Sequence, residues 1–76
     1  MTEIEWLNCF TDNLCRMMYE SKVTQRDLAE MTGLSESTIS KYTHGQQMPG
    51  IKAIINIAYA LSCNTDDLID FGTTIN

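Results

Sequence analysis

The chain has 76 residues, of which 43% are hydrophobic, and its ten acidic and five basic side chains give a formal net charge of -5. This length predicts a single domain, residues 1–76, with one core, and no apolar tract is long enough to span a membrane. The acidic start MTEIEW lacks the positive leader of a secretory signal, so we expect a cytoplasmic protein.

A long amphipathic helix is predicted from Thr2 to about Ser21. The spacing of hydroxyl and acid in TEIE is that of a capping box at its start. Trp6 lies beside the centre of the apolar stripe, and we expect it to be partly exposed. Apolar residues that recur at steps of three and four predict the face that packs on the core: Leu7, Phe10, Leu14, Met17 and Met18.

The run QRDLAEMTG predicts a short second helix that starts at Gln25. Thr24 is placed to cap it, and Asp27 completes another capping box. Leu28 and Ala29 face inward, and the small Ala29 allows another helix to cross closely above it. This helix therefore has an inner face suited to tight packing.

A glycine turn and a third short helix follow. Gly33 supplies the left-handed backbone of the turn, and Ser35 caps a helix over residues 36–43. Ile39 and Tyr42 point inward at a spacing of three, which leaves a short, polar and mostly uncharged outer face. Two short helices joined in this way predict a helix-turn-helix, a DNA-binding module.

Two further helices are predicted after the loop GQQMPG. Gly50 caps the fourth helix, which starts near Ile51. Such an apolar helix must be central in so small a domain, and its predicted core residues are Ile54, Ile55, Ile57, Ala58 and Leu61. Asn64 or Thr65 caps the last helix, with Leu68 packed inward. Its first turn carries two carboxylates, which suit the positive helix end: Asp66 and Asp67.

The C-terminal region carries more apolar surface than one short helix can hide. Ile69, Phe71 and Ile75 are the residues concerned, and an exposed apolar patch is typical of an interface. We therefore expect a homodimer that forms through this region.

The sequence resembles the Cro and phage-repressor type of helix-turn-helix family from roughly Leu14 to Leu68. The resemblance rests on VTQRDLAEMTGLSESTISKYTHG, then Pro49, then IKAIINIAYAL and NTDDLI, in the family's order. It implies an all-α, compact five-helix domain of the lambda-repressor type that binds DNA. The chain departs from the family at Thr43, where a glutamate is usual, and at Met18, where an arginine is frequent.

Base contacts in this family come from residues near the start of the second motif helix. The candidates here are Glu36, Ser37, Thr38, Ser40 and Lys41. Alignment to the family places Glu36, Ser37 and Lys41 at the commonest contact positions. A glutamate accepts from the cytosine amino group, and a lysine donates to guanine. Glu36 has an alternative role as a first-turn carboxylate that favours the positive helix end.

Four polar residues are candidate phosphate contacts: Gln25, His44, Gln47 and Lys52. Gln25 resembles the family's glutamine that reaches a phosphate, helped by backbone amides at the helix end. All except His44 have an alternative interpretation as solvated surface residues. His44 can instead simply flank Gly45 at the helix C-terminus.

The negative net charge opposes DNA binding, because nucleic-acid-binding proteins usually present a basic face. The acidic residues are unevenly placed, however, and none lies between Ser37 and Thr65. That interval contains Lys41, His44 and Lys52, so the predicted DNA face is locally neutral to basic.

We therefore expect a sequence-specific regulator of transcription that binds double-stranded DNA and represses by occupying an operator. A phage-type repressor, a mobile-element regulator and an antitoxin-like autoregulator all fit the sequence. The alternative function is a protein-interaction module that keeps the fold but has lost DNA binding.

Other chemistry has little support in the sequence. Cys9, Cys15 and Cys63 are odd in number and lack a CxxC pair, which favours reduced, packed thiols over disulfides. No nucleophile has an evident base, and no glycine loop is suited to a phosphate. We expect no enzymatic activity, no metal, no cofactor and no small-molecule ligand.

Overall fold

The structure, a computed structural model, describes residues 2–69, and within that range all regular structure is helical. The five helices are α1 (Glu3–Ser21), α2 (Gln25–Thr32), α3 (Glu36–Thr43), α4 (Ile51–Ala60) and α5 (Thr65–Ile69). The predicted all-α class and helix order are confirmed. None of these helices combines the length and the apolar character that crossing a bilayer requires.

Side-chain caps define where the first three helices begin. The Thr2 backbone N–H donates to Glu5 Oε1 at 2.8 Å, and the Glu5 N–H donates to Thr2 Oγ1 at 3.2 Å. Thr24 and Asp27 repeat this exchange at 3.1 and 3.0 Å. At α3, Ser35 Oγ accepts from the Thr38 N–H at 3.0 Å. Both predicted capping boxes and the Ser35 cap are confirmed.

A residue with positive φ lies in each of the four connections between the helices of residues 2–69: Lys22, Gly33, Gly45 and Ser62. Gly33 has a φ of 78°, as the predicted glycine turn requires. Lys22 and Ser62 also have positive φ, 58° and 56°, although each carries a Cβ. A left-handed residue other than glycine costs roughly 1–2 kcal/mol. The chain therefore stores local strain at the ends of α1 and α4, which the sequence did not predict.

The core draws side chains from all five helices. Phe10 is completely buried, and Trp6 stacks on it with ring centroids 5.9 Å apart, while Tyr42 meets it edge-on at 6.1 Å. Trp6 itself is half-buried, as expected. The buried apolar residues are Phe10, Leu14, Met18, Leu28, Ala29, Ile39, Tyr42, Ile54, Ile57, Ala58, Leu61 and Leu68.

Two asparagine side chains join helices that are distant in sequence. The buried Asn13 on α1 donates from Nδ2 to the Leu68 carbonyl oxygen on α5 at 2.8 Å. Asn56 on α4 donates to the Thr32 carbonyl oxygen at the end of α2, at 2.7 Å. A terminal helix carbonyl has no partner within its own helix. These amides therefore satisfy the ends of α2 and α5 while fixing how the helices pack.

The predicted core role is wrong for Ile55. Its side chain is 54% exposed, whereas Ile54 and Ile57 on the same helix are buried. The error arises because α4 is apolar on more than one face, so periodicity alone did not separate its inner face from its outer one. Ile51 and Tyr59 share the outer face with Ile55, since they lie one turn before and one turn after it.

Candidate nucleic-acid interface

The inner side of α3 packs on the core, and its outer side is exposed to solvent. It packs against α1 and α2, with Ile39 fully buried and Tyr42 4% exposed. Thr11 Oγ1 on α1 donates to the Tyr42 carbonyl oxygen at 3.2 Å. The side chains on the opposite face of α3 are consequently exposed to solvent, on a helix whose inner face is packed against α1 and α2.

The five predicted base-contacting residues divide into two groups. Glu36, Ser37 and Lys41 are exposed, whereas Thr38 and Ser40 are half-buried. Thr38 Oγ1 accepts a hydrogen bond from the cap residue Ser35 at 2.9 Å. The hydroxyl of Thr38 is thus part of the helix cap, while the exposed group has side chains available to a ligand.

A neutral hydrogen bond joins the start of α2 to the end of α3. Gln25 Nε2 donates to Thr43 Oγ1 at 3.1 Å, and Thr43 Oγ1 donates to the Ser40 carbonyl oxygen at 2.9 Å. Met18, at the second position where the chain departs from the resembled family, is buried in the core. At both positions where the chain differs from the family, Thr43 and Met18, the contacts are therefore uncharged. The bond from Gln25 to Thr43 still joins the two motif helices.

Three predicted phosphate contacts are exposed around the end of α3 and the start of α4: His44, Gln47 and Lys52. His44 Nδ1 lies 2.7 Å from the Ser40 carbonyl oxygen. A carbonyl oxygen only accepts, so Nδ1 carries the hydrogen and Nε2 is the nitrogen available to another partner. The structure joins Gln25 to Thr43 and His44 to Ser40. No hydrogen bond within residues 2–69 joins Gln47 or Lys52 to these pairs.

The electrostatic character of this surface follows from the charge pattern. Lys41 on α3 and Lys52 on α4 are the basic residues in the interval without acids. Glu36 stands just outside that interval, in the first turn of α3. A carboxylate there is favoured by the positive helix end. Apart from Glu36, the charged residues of α3 and α4 are therefore lysines.

Two of the three thiols, those of Cys15 and Cys63, have raised pKa values. Cys15 donates to the Thr43 carbonyl oxygen at 3.5 Å, and partial burial, followed by the nearby Asp12 carboxylate, raises its pKa. Burial and then Asp67 likewise raise the pKa of Cys63. A thiol becomes a nucleophile or metal ligand through its thiolate, which a raised pKa disfavours. Residues 2–69 contain no group of three potential metal ligands.

Of the three predicted dimer residues, Ile69 lies within the described part of the chain. Ile69 is half-buried and packs against the core, whereas Phe71 and Ile75 lie outside the described residues. Sequence reasoning missed the exposed apolar face of α4 and the two asparagine hydrogen bonds. The spacing of Ile51, Ile55 and Tyr59 at steps of four was the signal that could have revealed that face.

Comparisons with known proteins agree on one family. A family model for the Cro/C1-type HTH DNA-binding domain matches residues 13–73. The chain is similar to the SPbeta prophage-derived HTH-type transcriptional regulator YopS of Bacillus subtilis strain 168, with 32% identity over 93% of each chain. It is also similar to the HTH-type transcriptional regulator YqaE of that strain, with 30% identity over 79% of this chain and 52% of the relative. No solved structure matches.

Proposed function

This chain belongs to the Cro/C1-type helix-turn-helix DNA-binding family and is a DNA-binding transcriptional regulator, and we propose that it is a repressor that acts by occupying operator DNA. The observation that carries this proposal is the outer face of α3. It is exposed, it holds Ser37 and Lys41, and its inner side is fixed against α1 and α2. A rigid helix of this kind suits insertion into the major groove.

The base-reading residues in this proposal are chiefly the exposed ones. Lys41 donates to guanine O6 or N7, and Ser37 hydrogen-bonds to a base edge. Glu36 accepts from a cytosine amino group, which offsets the repulsion between its carboxylate and the phosphates. Thr38 and Ser40 have smaller roles, because both are half-buried.

The proposed phosphate contacts flank α3 on both sides. Gln25 has one amide hydrogen committed to Thr43, and its second amide hydrogen can donate to a phosphate. Nε2 of His44 is the ring nitrogen left for a phosphate contact, and Gln47 and Lys52 approach the DNA backbone from the loop and the first turn of α4. Such contacts set the register of α3 in the groove without reading sequence.

Repression requires fewer contact surfaces on this chain than activation does. A protein bound over a promoter excludes polymerase sterically, whereas activation needs a further contact surface. We propose that it acts as a single-domain homodimer in the cytoplasm, where operator DNA is found. The similarity to a prophage-derived regulator supports a gene carried by a mobile element.

The experiment that tests this proposal is selection of bound duplexes from a random DNA pool at low salt, followed by sequencing. Two half-sites related by inversion and about one helical turn apart are expected from a dimer. Absence of enrichment by folded protein would contradict the proposal and favour the protein-interaction module.

Variants then test the proposed face. Lys41→Ala is expected to weaken binding to the selected duplex by about tenfold, because one good base contact contributes about 1–3 kcal/mol of discrimination. Ser37→Ala is expected to relax preference at one or two base pairs. Ser21→Ala, at the end of α1, is the matched control for the serine, and Glu3→Ala is a second control. Equal effects from all four variants would refute the assignment of the face.

A further inference from the structure

His44 is the single histidine of the chain, and it follows directly on α3, beside the face that the proposed function assigns to DNA. Its side chain is exposed. Nδ1 lies 2.7 Å from the Ser40 carbonyl oxygen, one turn back along the helix. All hydrogen bonds of this ring within residues 2–69 are made by Nδ1. The opposite ring nitrogen, Nε2, is therefore left for a partner outside the fold.

The hydrogen on Nδ1 decides what Nε2 can do. A carbonyl oxygen only accepts, so the ring donates from Nδ1 to Ser40. In the neutral imidazole the other nitrogen then carries a lone pair and is itself an acceptor. The oxygens of a DNA phosphate are anionic and accept as well. A neutral His44 in this tautomer consequently has no hydrogen to donate to a phosphate.

We propose that DNA binding by this chain takes up a proton from solvent at His44 Nε2. The neutral imidazole becomes an imidazolium ion, in which both ring nitrogens donate. Nδ1 keeps its bond to Ser40, and the new Nε2–H donates to a phosphate oxygen. Histidine is the side chain whose charge ordinarily changes between pH 5 and 8, so affinity for DNA should rise as pH falls through this range. The inference rests on the proposed function, which places His44 among the phosphate contacts.

The position of His44 suits a cation. The last carbonyl groups of a helix have no partner within the helix and carry a partial negative charge, which favours a positive side chain there. The Ser40 carbonyl belongs to this last turn of α3. No acidic residue lies between Ser37 and Thr65. No carboxylate close in the sequence therefore competes with a phosphate for the imidazolium ion.

Other groups around the end of α3 do not explain a change of charge between pH 6 and 8. Carboxyl, ammonium and guanidinium groups ordinarily titrate outside this range. Burial, and then the Asp12 carboxylate, raises the pKa of the Cys15 thiol, which contacts the Thr43 carbonyl and so stays neutral here. The charged and titratable residues of the surrounding elements are Glu36 and Lys41 on α3, Asp12, Cys15 and Arg16 on α1, Arg26 and Asp27 on α2, and Lys52 on α4.

One added charge has a large effect because this chain has few cations. Lys41 and Lys52 are the two lysines or arginines in the interval without acids, so protonation of His44 raises the positive charges there from two to three. A hydrogen bond to a charged group stabilises more than a neutral one does. We therefore expect DNA affinity to be about fivefold higher at pH 6 than at pH 8.

The test is fluorescence anisotropy with a labelled duplex of random sequence, at one low ionic strength and at about pH 8 and pH 6. Phosphate contacts do not depend on base sequence, so this probe reports them without knowledge of the operator. The wild type is expected to bind about fivefold more tightly at pH 6. His44→Gln keeps a polar side chain that does not titrate, and it should lose this difference.

Two further measurements distinguish proton uptake from a merely structural role of His44. His44→Lys carries its charge at both pH values, so it should bind as tightly at pH 8 as at pH 6. The slope of log affinity against log salt concentration should be steeper by up to about 0.9 for the wild type at pH 6 than at pH 8, and equal at the two pH values for His44→Gln. Circular dichroism checks that each protein is equally helical at both.

The tautomer of the free protein is a separate test. Nitrogen-15 NMR at about pH 8 should show the hydrogen of the neutral His44 ring on Nδ1. A hydrogen on Nε2 would overturn the inference, because the neutral ring could then donate to a phosphate without taking up a proton.

The inference is also overturned if the wild type binds equally at both pH values. The same holds if His44→Gln retains the full difference, which would place the proton on another group, such as the N-terminal amine. These outcomes leave sequence-specific binding untouched. Conversely, proton-coupled binding to random duplexes, with no sequence enriched from the pool, would refute the proposed function and leave the role of His44 standing.

Discussion

The hydrogen bond from Asn13 to the Leu68 carbonyl is expected to be a main determinant of stability. Asn13 is only 8% exposed, and its Nδ2 lies 2.8 Å from an oxygen that is 55 residues away in the chain. Asn13→Ala removes this donor and leaves the terminal carbonyl of α5 inside the fold with one partner fewer. Leaving a buried polar group unsatisfied costs about 1–3 kcal/mol.

That cost is large for a chain of this size. A total stability of roughly 4–11 kcal/mol is typical of 76 residues. Each kcal/mol shifts the midpoint of thermal unfolding by about 4–8 °C in so small a domain. Asn13→Ala should therefore lower Tm by roughly 5–20 °C.

Thermal unfolding followed by circular dichroism measures the effect. Asn8→Ala is the matched control, because Asn8 is an exposed asparagine on the same helix and makes the same change in helix propensity. Hydrogen exchange provides a local readout, since the amides of α5 should lose protection first. A Tm for Asn13→Ala equal to that for Asn8→Ala would refute the reasoning.

Two further predictions concern a helix end and a cap. Ser62→Gly should raise the free energy of unfolding by about 1 kcal/mol, because it relieves a left-handed residue with a φ of 56°. Ser21→Gly, at the end of α1, should lower it in the same thermal assay, because glycine loses more backbone entropy on folding than serine does. Destabilisation by both variants would contradict the strain. Hydrogen bonds from Thr24, the backbone one first, lower the pKa of Asp27. The stabilisation from this carboxylate is therefore complete above its unfolded pKa and is lost as pH falls through the folded value. As pH is lowered, the free energy of unfolding should fall less for Asp27→Asn than for the wild type. Parallel curves of unfolding free energy against pH for the two proteins would count against this explanation.

Features governed by local rules were predictable from the sequence. The caps at Thr2, Thr24 and Ser35 depend on residues three positions apart, and the glycine turn depends on a single residue. Inward positions such as Ile39 follow from helical periodicity. The exposed face of α3 followed from the same reasoning, and the comparisons supported the family.

Features governed by contacts distant in sequence were not predictable. Nothing near Asn13 in the chain indicates that its amide meets α5, and Asn56 gives no local sign of its bond to α2. The prediction for Ile55 was wrong because hydrophobic periodicity does not distinguish an apolar residue that packs on the core from one that is exposed on the outer face of a helix. Lys22 and Ser62 adopt left-handed backbone that residue type did not favour.

The bond between Gln25 and Thr43 has a consequence for how DNA affinity depends on ionic strength. It joins two uncharged groups, so added salt does not screen it as it screens an ion pair. The relative placement of α2 and α3 should therefore stay constant as counterions accumulate around the DNA. The slope of affinity against salt concentration then counts phosphate contacts directly, without a contribution from loosening of the motif.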